Sequence, residues 1–211
     1  MAQRPVFYTR SIAPFYGISQ VNFVYNSGFA PSQKRKNIDA IHHAYQNANP
    51  GKNILEISSK STQPGGVELS AFNLKIFVPS LGKAVPVECA YQAGKVFRNG
   101  GPYLDLLEAT PRDAKRDERL KTTGELVGFR FEGQDFPLTP ATFFYNYLYI
   151  RALMGNPELA RTVLEHDAFT DIEFNPGKSL ACQARAAAIY AGLHRAGKLD
   201  GDLYEILKTI R

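Results

Sequence analysis

Cysteine is scarce in this sequence. Cys89 and Cys182 are the only two, and they stand far apart without the spacing of metal ligands. The neighbouring histidines His42 and His43 would point about 100° apart on a helix, so they do not easily share a metal ion. The sequence therefore predicts a protein that holds no metal and needs no cofactor.

Long apolar runs are also missing. No stretch approaches the ~20 apolar residues that span a bilayer, and residues 1–8 lack the apolar core of a secretory signal. Together with the low cysteine content, these absences favour a reducing compartment. We therefore expect a cytoplasmic protein without a membrane partner.

The composition is that of a globular protein with a mild positive excess. The 211 residues fit one domain, with 44% hydrophobic and 21% charged residues. Lysine and arginine outnumber aspartate and glutamate by 25 to 20, which gives a formal net charge of +5. Such a charge suits a polyanionic partner such as nucleic acid, although many soluble proteins are as basic. No glycine-rich phosphate loop of the P-loop or dinucleotide type is present.

Hydrophobic periodicity and breaker residues predict a mainly helical α+β domain with a small antiparallel sheet. Alternation in residues 126–137, with Glu132 and Gly133 as the turn, predicts a hairpin. The charge run at residues 112–121 mixes both signs and is interpreted as a solvated face. The predicted strands are 4–8, 20–25, 54–58 and 73–78, and the predicted helices are 31–47, 87–97, 103–108, 111–117, 140–154, 157–166, 179–196 and 202–210.

Residues 87–97 are the most informative segment, because its few polar side chains fall within an arc of roughly 100° on an α-helix. Glu88 and Lys95 would lie about 10.5 Å apart along the axis and could bracket a small group. An uncharged buried lysine is a nucleophile, and a nearby carboxylate can move protons. The alternative is an ordinary solvated helix face. The polar side chains are Glu88, Tyr91, Gln92 and Lys95.

Four boxes along the chain resemble motifs of the NADAR/YbiA-like superfamily. Residues 88–97 (ECAYQAGKVF) resemble E-x-x-Y/F-Q-A-x-K-F, and residues 69–74 (LSAFNL) resemble L-S-N-F-Y-P. Residues 171–176 (DIEFNP) resemble L-V-E-A-S-P, and residues 177–184 (GKSLACQA) resemble G-K-N-L-L-G. The motifs cover about residues 54–196. They imply a YbiA-like fold in which residues 1–211 form one NADAR-type domain.

A subgroup of that superfamily is more similar still. Residues 28–34, 128–133 and 169–176 resemble the NADAR antitoxins encoded beside DarT-type DNA ADP-ribosyltransferase toxins. This resemblance implies that the substrate is DNA carrying ADP-ribosylated guanine and that the functional partner is such a toxin. Ala71 replaces the asparagine of L-S-N-F. The D-x-x-W-G box of the wider family is absent, and Asp167 or Asp171 is a candidate for the missing acid.

The resemblance implies an N-glycosyl hydrolase with Lys95 and Glu88 as catalytic residues. The Lys95 amine would attack C1″ of the opened ribose and form a Schiff base, while Glu88 would act as general acid and base. In a rival reaction, water attacks an oxocarbenium-like centre, and Lys95 only binds phosphate or steadies charge. The residues implied to bind the substrate are Ser70, Phe72, Asn73, Tyr91, Gln92, Asp171 and Glu173.

Basic residues after Pro31 add a candidate contact to phosphates. Lys34 and Lys36 begin a predicted helix and suit DNA phosphates or the pyrophosphate of ADP-ribose, unless they are simply solvated.

Two other functions remain open. One is an N-glycosidase for a riboflavin-pathway intermediate, and the other is a non-catalytic module that binds ADP-ribose or the toxin. Binding would survive the loss of Glu88 or Lys95, whereas catalysis needs both.

Overall fold

The computed structural model describes residues 1–177 and 179–210. Lys178, part of the box that resembles G-K-N-L-L-G, lies outside the described residues. Two 3-10 helices, Pro79–Leu81 and Leu104–Glu108, accompany the regular elements. In chain order these are β1 (Ala2–Thr9), β2 (Tyr16–Phe23), α1 (Pro31–Ala48), β3 (Ile54–Glu56), β4 (Lys75–Val78), β5 (Lys83–Pro86), α2 (Val87–Ala93), β6 (Lys95–Phe97), α3 (Pro111–Arg116), α4 (Arg119–Thr122), β7 (Leu126–Phe131), β8 (Gln134–Phe136), α5 (Phe143–Met154), α6 (Pro157–Leu164), β9 (Ala168–Thr170), α7 (Gln183–Arg195) and α8 (Leu203–Lys208).

The predicted α+β class is confirmed. The described residues group into two compact units, one made of Met1–Ser70 with Pro157–Gly201 and the other of Ala71–Asn156 with Asp202–Arg211. The prediction of one domain over residues 1–211 stays a prediction. In the part of the chain that the structure describes, no helix has both the length and the apolar character needed to cross a membrane.

The first unit is built on a four-stranded sheet in the order β2-β1-β9-β3. The β1–β2 hairpin is antiparallel, whereas β3 and β9 run parallel. α1 begins at Pro31, whose fixed φ suits a first helical turn, and its buried residues recur at helical spacing. Val6, Ile41 and Ile54 belong to the apolar cluster between α1 and the sheet. The parallel pairing was not predicted, because a three-residue strand such as β9 carries no periodicity.

The second unit contains the hairpin β4–β5 and the antiparallel sheet β6-β7-β8. Ten of the twelve residues of α5 are buried, and its aromatic rings pack against those of β7 and β8. The predicted turn between β7 and β8 is confirmed, since Glu132 and Gly133 have φ values of 48° and 76°. The prediction of a single small sheet therefore understated the β content, because the described residues form three sheets.

The predicted helix over residues 87–97 was wrong at its C-terminal end. α2 stops at Ala93, and Lys95 begins β6, which pairs with β7 so that Lys95 lies opposite Phe129. The backbone N–H of Arg130 donates to the carbonyl of Gly94 at 2.7 Å. Because the Gly94 carbonyl is bound to a residue 36 positions later, it is not available to a continuing helix. Helical periodicity is local and cannot predict such a bond. The separation of about 10.5 Å expected for a continuous helix therefore does not apply.

Gly94 and Gly155 allow a matched test of this helix end. Both glycines cap a helix with nearly the same backbone angles, −73° and −6° for Gly94 and −84° and −1° for Gly155. A Cβ on Gly94 would lie 2.6 Å from the Phe144 ring, whereas one on Gly155 would meet nothing closer than 3.6 Å. We expect Gly94→Ala to lower the free energy of unfolding in urea by about 1–3 kcal/mol through overpacking. Gly155→Ala should change it by no more than about 0.5–1 kcal/mol. Equal effects of the two substitutions would contradict this account.

Candidate functional site

The loop before β4 lies against the start of α2. The N–H of Val87 donates to the carbonyl of Leu74, and the N–H of Glu88 donates to the carbonyl of Ala71, both at 2.9 Å. These bonds hold the loop that carries Phe72 and Asn73, both exposed, beside the end of the helix that carries Glu88. Two of the boxes found in the sequence are thus joined by backbone hydrogen bonds within the second unit.

Glu88 is the buried carboxylate of this unit, with only 5% of its surface exposed. Its Oε1 accepts a hydrogen bond from Nε2 of Gln92 at 2.9 Å and lies 3.5 Å from Nζ of Lys115. The Lys115 ammonium also sits 5.3 Å from the ring centroid of Phe72. The charge run at residues 112–121 was interpreted as a solvated face, and the Lys115 side chain is indeed 58% exposed although its ammonium also reaches Glu88. The packing of α3 on α2 brings this lysine to Glu88, which the local sequence gave no reason to expect.

Gln92 has a hydrogen-bonding group without a partner. Its Oε1 is fully buried and accepts no hydrogen bond from any described residue. Buried polar groups are nearly always paired, and leaving one unpaired costs about 1–3 kcal/mol. Nε2 of the same amide is bound to Glu88, so the amide is held in place while its oxygen has no donor among the described residues.

Lys95 extends over an aromatic floor. Its Nζ lies 5.0 Å from the ring centroid of Tyr91. That ring stacks on Phe129 and Phe144 at centroid distances of 5.7 and 6.0 Å, and Tyr145 meets it edge-on. Burial, reinforced by the nearby Glu88, raises the pKa of Tyr91 to about 12, so the phenol stays neutral at physiological pH.

The surroundings of Lys95 favour its neutral form. Burial lowers the pKa of Lys95, the charge of Glu88 acts in the opposite direction, and the charge of Lys115 lowers the pKa further. The net shift is downward from the ordinary lysine value. A larger fraction of the amine is therefore unprotonated near neutral pH, and an unprotonated amine is the form that can act as a nucleophile.

Other predicted residues lie in the first unit. Lys34 and Glu173 bind each other, with Nζ of Lys34 at 2.7 and 2.8 Å from the two carboxylate oxygens. Lys36 is exposed on the same turn of α1, and Ser70 is buried at the end of the chain segment that precedes Ala71. The lysine and the glutamate thus balance each other's charge, while Lys36 is left for other partners.

The two candidates for the missing acid differ sharply. For Asp167, burial works against ionisation, but hydrogen bonds from the Asn53 N–H and the Lys52 ammonium outweigh it and lower the pKa. For Asp171, burial and the nearby Glu56 raise the pKa well above its ordinary value, although two backbone N–H groups bind Oδ1. Asp167 is therefore held as a charged structural group, and Asp171 is the better candidate for a proton donor.

A buried polar chain beside Asp171 was not predicted. Glu56, 1% exposed, accepts a hydrogen bond from the Thr170 hydroxyl at 2.6 Å and another from the Ile172 N–H at 2.8 Å. Burial lowers the pKa of His42 to about 4, so its ring is neutral at physiological pH. Its Nε2 forms a hydrogen bond with the Thr170 hydroxyl at 2.8 Å. A lone carboxylate in the apolar run Ile54-Leu55-Glu56-Ile57 was the available sequence signal. These bonds fix the segment from Thr170 to Ile172.

The second unit thus defines a class of site, in which a carboxylate, an amide and a depressed-pKa amine surround an aromatic floor. A family model described as DarT1-associated NADAR antitoxin matches residues 2–209, so the chain belongs to this family. The predicted resemblance is confirmed. No curated protein matches the sequence significantly. Within residues 1–177 and 179–210, no three His, Cys, Asp or Glu side chains are grouped so that they could hold a metal ion.

The environment of Lys95 predicts a pH-dependent effect on stability. Because its folded-state pKa lies below that of the unfolded chain, about 10.4, the ammonium destabilises the folded state at lower pH. The penalty disappears as the pH rises above the unfolded value. We expect the urea midpoint of Lys95→Met, relative to the natural chain, to be higher at about pH 7 than at about pH 10. Lys75→Met, on the exposed face of β4, controls for the exchange of side chains. A difference that does not vary with pH would contradict the shift.

Proposed function

We propose that this protein hydrolyses the N-glycosyl bond between ADP-ribose and guanine in DNA, and that it thereby counteracts a DarT-type toxin. Membership of the antitoxin family supports the biological role. The observation that carries the chemistry is the Lys95 amine, held over Tyr91 with a lowered pKa beside a buried carboxylate. Amine nucleophiles of this kind form Schiff bases with carbonyl-like carbons.

The reaction begins by opening the ribose. A proton goes to the ring oxygen, the bond between that oxygen and C1″ breaks, and the guanine nitrogen forms a double bond to C1″. The Lys95 amine then adds to C1″, and the electron pair returns to the guanine nitrogen. Transfer of a lysine proton to that nitrogen lets its bond to C1″ break, which releases unmodified guanine. Water hydrolyses the remaining Schiff base to ADP-ribose and free Lys95.

Glu88 is the group that we assign to the proton transfers. It would protonate the ring oxygen in the first step and take a proton from water in the last. Its carboxyl group accepts a hydrogen bond from Gln92 and lies 3.5 Å from the Lys115 ammonium, so its orientation is supported. Lys115 also adds positive charge near Lys95, which favours the neutral amine.

Substrate binding is assigned to side chains of the second unit. The unpaired Oε1 of Gln92 suits a ribose hydroxyl or a guanine N–H. Phe72, 38% exposed, offers a ring to the base, whereas Tyr91 is already packed on its neighbours and serves as the floor under Lys95. Asn73 is exposed beside Phe72 and is proposed to bind the sugar.

Residues of the first unit are proposed as substrate contacts of their own. Ser70 is a candidate for binding ribose. Lys36 suits a phosphate, while Lys34 and Glu173 act as a bound pair that would have to separate before either binds substrate. Asp171 is proposed as an additional proton donor because its pKa is raised.

Substitutions at Lys95 and Glu88 test the reaction on a single-stranded oligonucleotide that carries ADP-ribosyl-guanine. The natural chain should release ADP-ribose and leave unmodified DNA. Glu88→Gln should lower kcat by about 10²–10⁴-fold. Lys95→Ala and Lys95→Arg should both abolish turnover, because a guanidinium keeps the charge but is not a nucleophile. Lys75→Ala, on exposed β4, should leave the rate unchanged.

The outcome for Lys95→Arg separates two mechanisms. If Lys95 only steadied charge, the arginine variant would keep a substantial part of the activity. Borohydride added during turnover should trap ADP-ribose on the natural chain and not on Lys95→Ala. Turnover without a trapped adduct would favour direct attack by water. ADP-ribose binding without release would indicate a binding module, and hydrolysis of a riboflavin precursor alone would overturn the proposed substrate.

A further inference from the structure

The loop between β2 and α1 presents apolar side chains to solvent. Phe29 is 99% exposed, and Val24 and Tyr25 are 73% and 54% exposed. Single exposed apolar residues are ordinary, but three within six residues form a patch, and such patches mark interaction surfaces. We call residues 24–36 the Phe29 loop; it includes the first turns of α1.

Hydrogen bonds hold the Phe29 loop against α1. The Asn26 N–H donates to Oδ1 of Asn37 at 2.7 Å, and Nδ2 of Asn37 donates to the Asn26 carbonyl at 2.9 Å. Asn37 is itself buried in α1. Gly28 has a φ of 120°, and a Cβ there would lie 3.1 Å from Gln33, so the chain folds back closely on the first turn of the helix. The exposure of Phe29 is therefore imposed by the fold.

Positively charged residues follow Phe29 in the sequence. Arg35 and Lys36 are exposed on α1, and neither makes an ion pair with any residue in the described part of the chain. Lys34 differs, because Glu173 neutralises it. The Phe29 loop thus combines an exposed aromatic ring with two unpaired cations. Single-stranded nucleic acid is bound by this combination, since cations contact the phosphates and aromatic rings stack on the bases.

We propose that the Phe29 loop is a docking surface for single-stranded DNA. Phe29 stacks on an unpaired base, and Arg35 and Lys36 contact the phosphates. The inference rests on the proposed function, in which DNA is the substrate. A protein partner fits the charges less well, because two adjacent unpaired cations would have to be desolvated in an interface core, where charged residues are depleted.

Binding of an unmodified, fluorescently labelled single-stranded oligonucleotide tests the proposal without any need for hydrolysis. Phe29→Ser should weaken the affinity by about 5- to 150-fold, the range that corresponds to the loss of one stacked base. Arg35→Gln and Lys36→Gln should each reduce the slope of log affinity against log salt by about 0.7. Phe77→Ser removes another exposed phenylalanine, 58% exposed on β4, and should leave the affinity unchanged.

Hydrolysis assays distinguish a failure of this surface from a failure of the proposed function. With the modified oligonucleotide, Phe29→Ser should raise KM, while kcat/KM for free ADP-ribosyl-guanosine should be unchanged. If neither substrate is hydrolysed, the proposed function is rejected. The measured DNA affinities then test the docking surface by themselves. DNA affinity unaffected by Phe29→Ser, or reduced equally by Phe77→Ser, overturns the docking surface. Loss of binding to the toxin instead would assign the loop to a protein partner.

Discussion

The hydrogen bond from the Arg130 N–H to the Gly94 carbonyl is the constraint on which the candidate site depends. It ends α2 and directs the chain into β6, where pairing with β7 places Lys95 opposite Phe129. Opposite residues of antiparallel strands share a face, so Lys95 stands with Phe129 over the Tyr91 ring.

Burial then determines the chemistry of the site. Lysine in water is almost entirely protonated at neutral pH. Desolvation opposes that charge, while Glu88 supports it and Lys115 opposes it again. In the proposed reaction, the Glu88 carboxylate transfers protons but also raises the pKa of Lys95, and the charge of Lys115 offsets part of that increase. A site with Glu88 and Lys95 alone would hold its amine more firmly in the charged, unreactive form.

The sequence predicted the composition of the site better than its geometry. Residue types and their order identified Glu88, Tyr91, Gln92 and Lys95, and breaker residues located α1 and the β7–β8 turn. What it missed depends on partners distant in the chain. Lys115 reaches Glu88 only because α3 packs on α2, and β6 and β9 are three-residue strands that exist through pairing. Periodicity is a local property, so it cannot report either effect.

Asp167 and Asp171 show the same limit at the level of single carboxylates. They flank β9, and in the sequence they were equivalent candidates for one acid. Asp167 precedes the strand, where a backbone N–H and Lys52 stabilise its charge. Asp171 follows the strand and lies near Glu56, whose carboxylate accepts hydrogen bonds from Thr170 and Ile172. No cation is among the groups that shift the pKa of Asp171. A carboxyl group in that setting retains its proton to higher pH, as a general acid requires. Asp171 is therefore the proposed proton donor in a chain that lacks the D-x-x-W-G box.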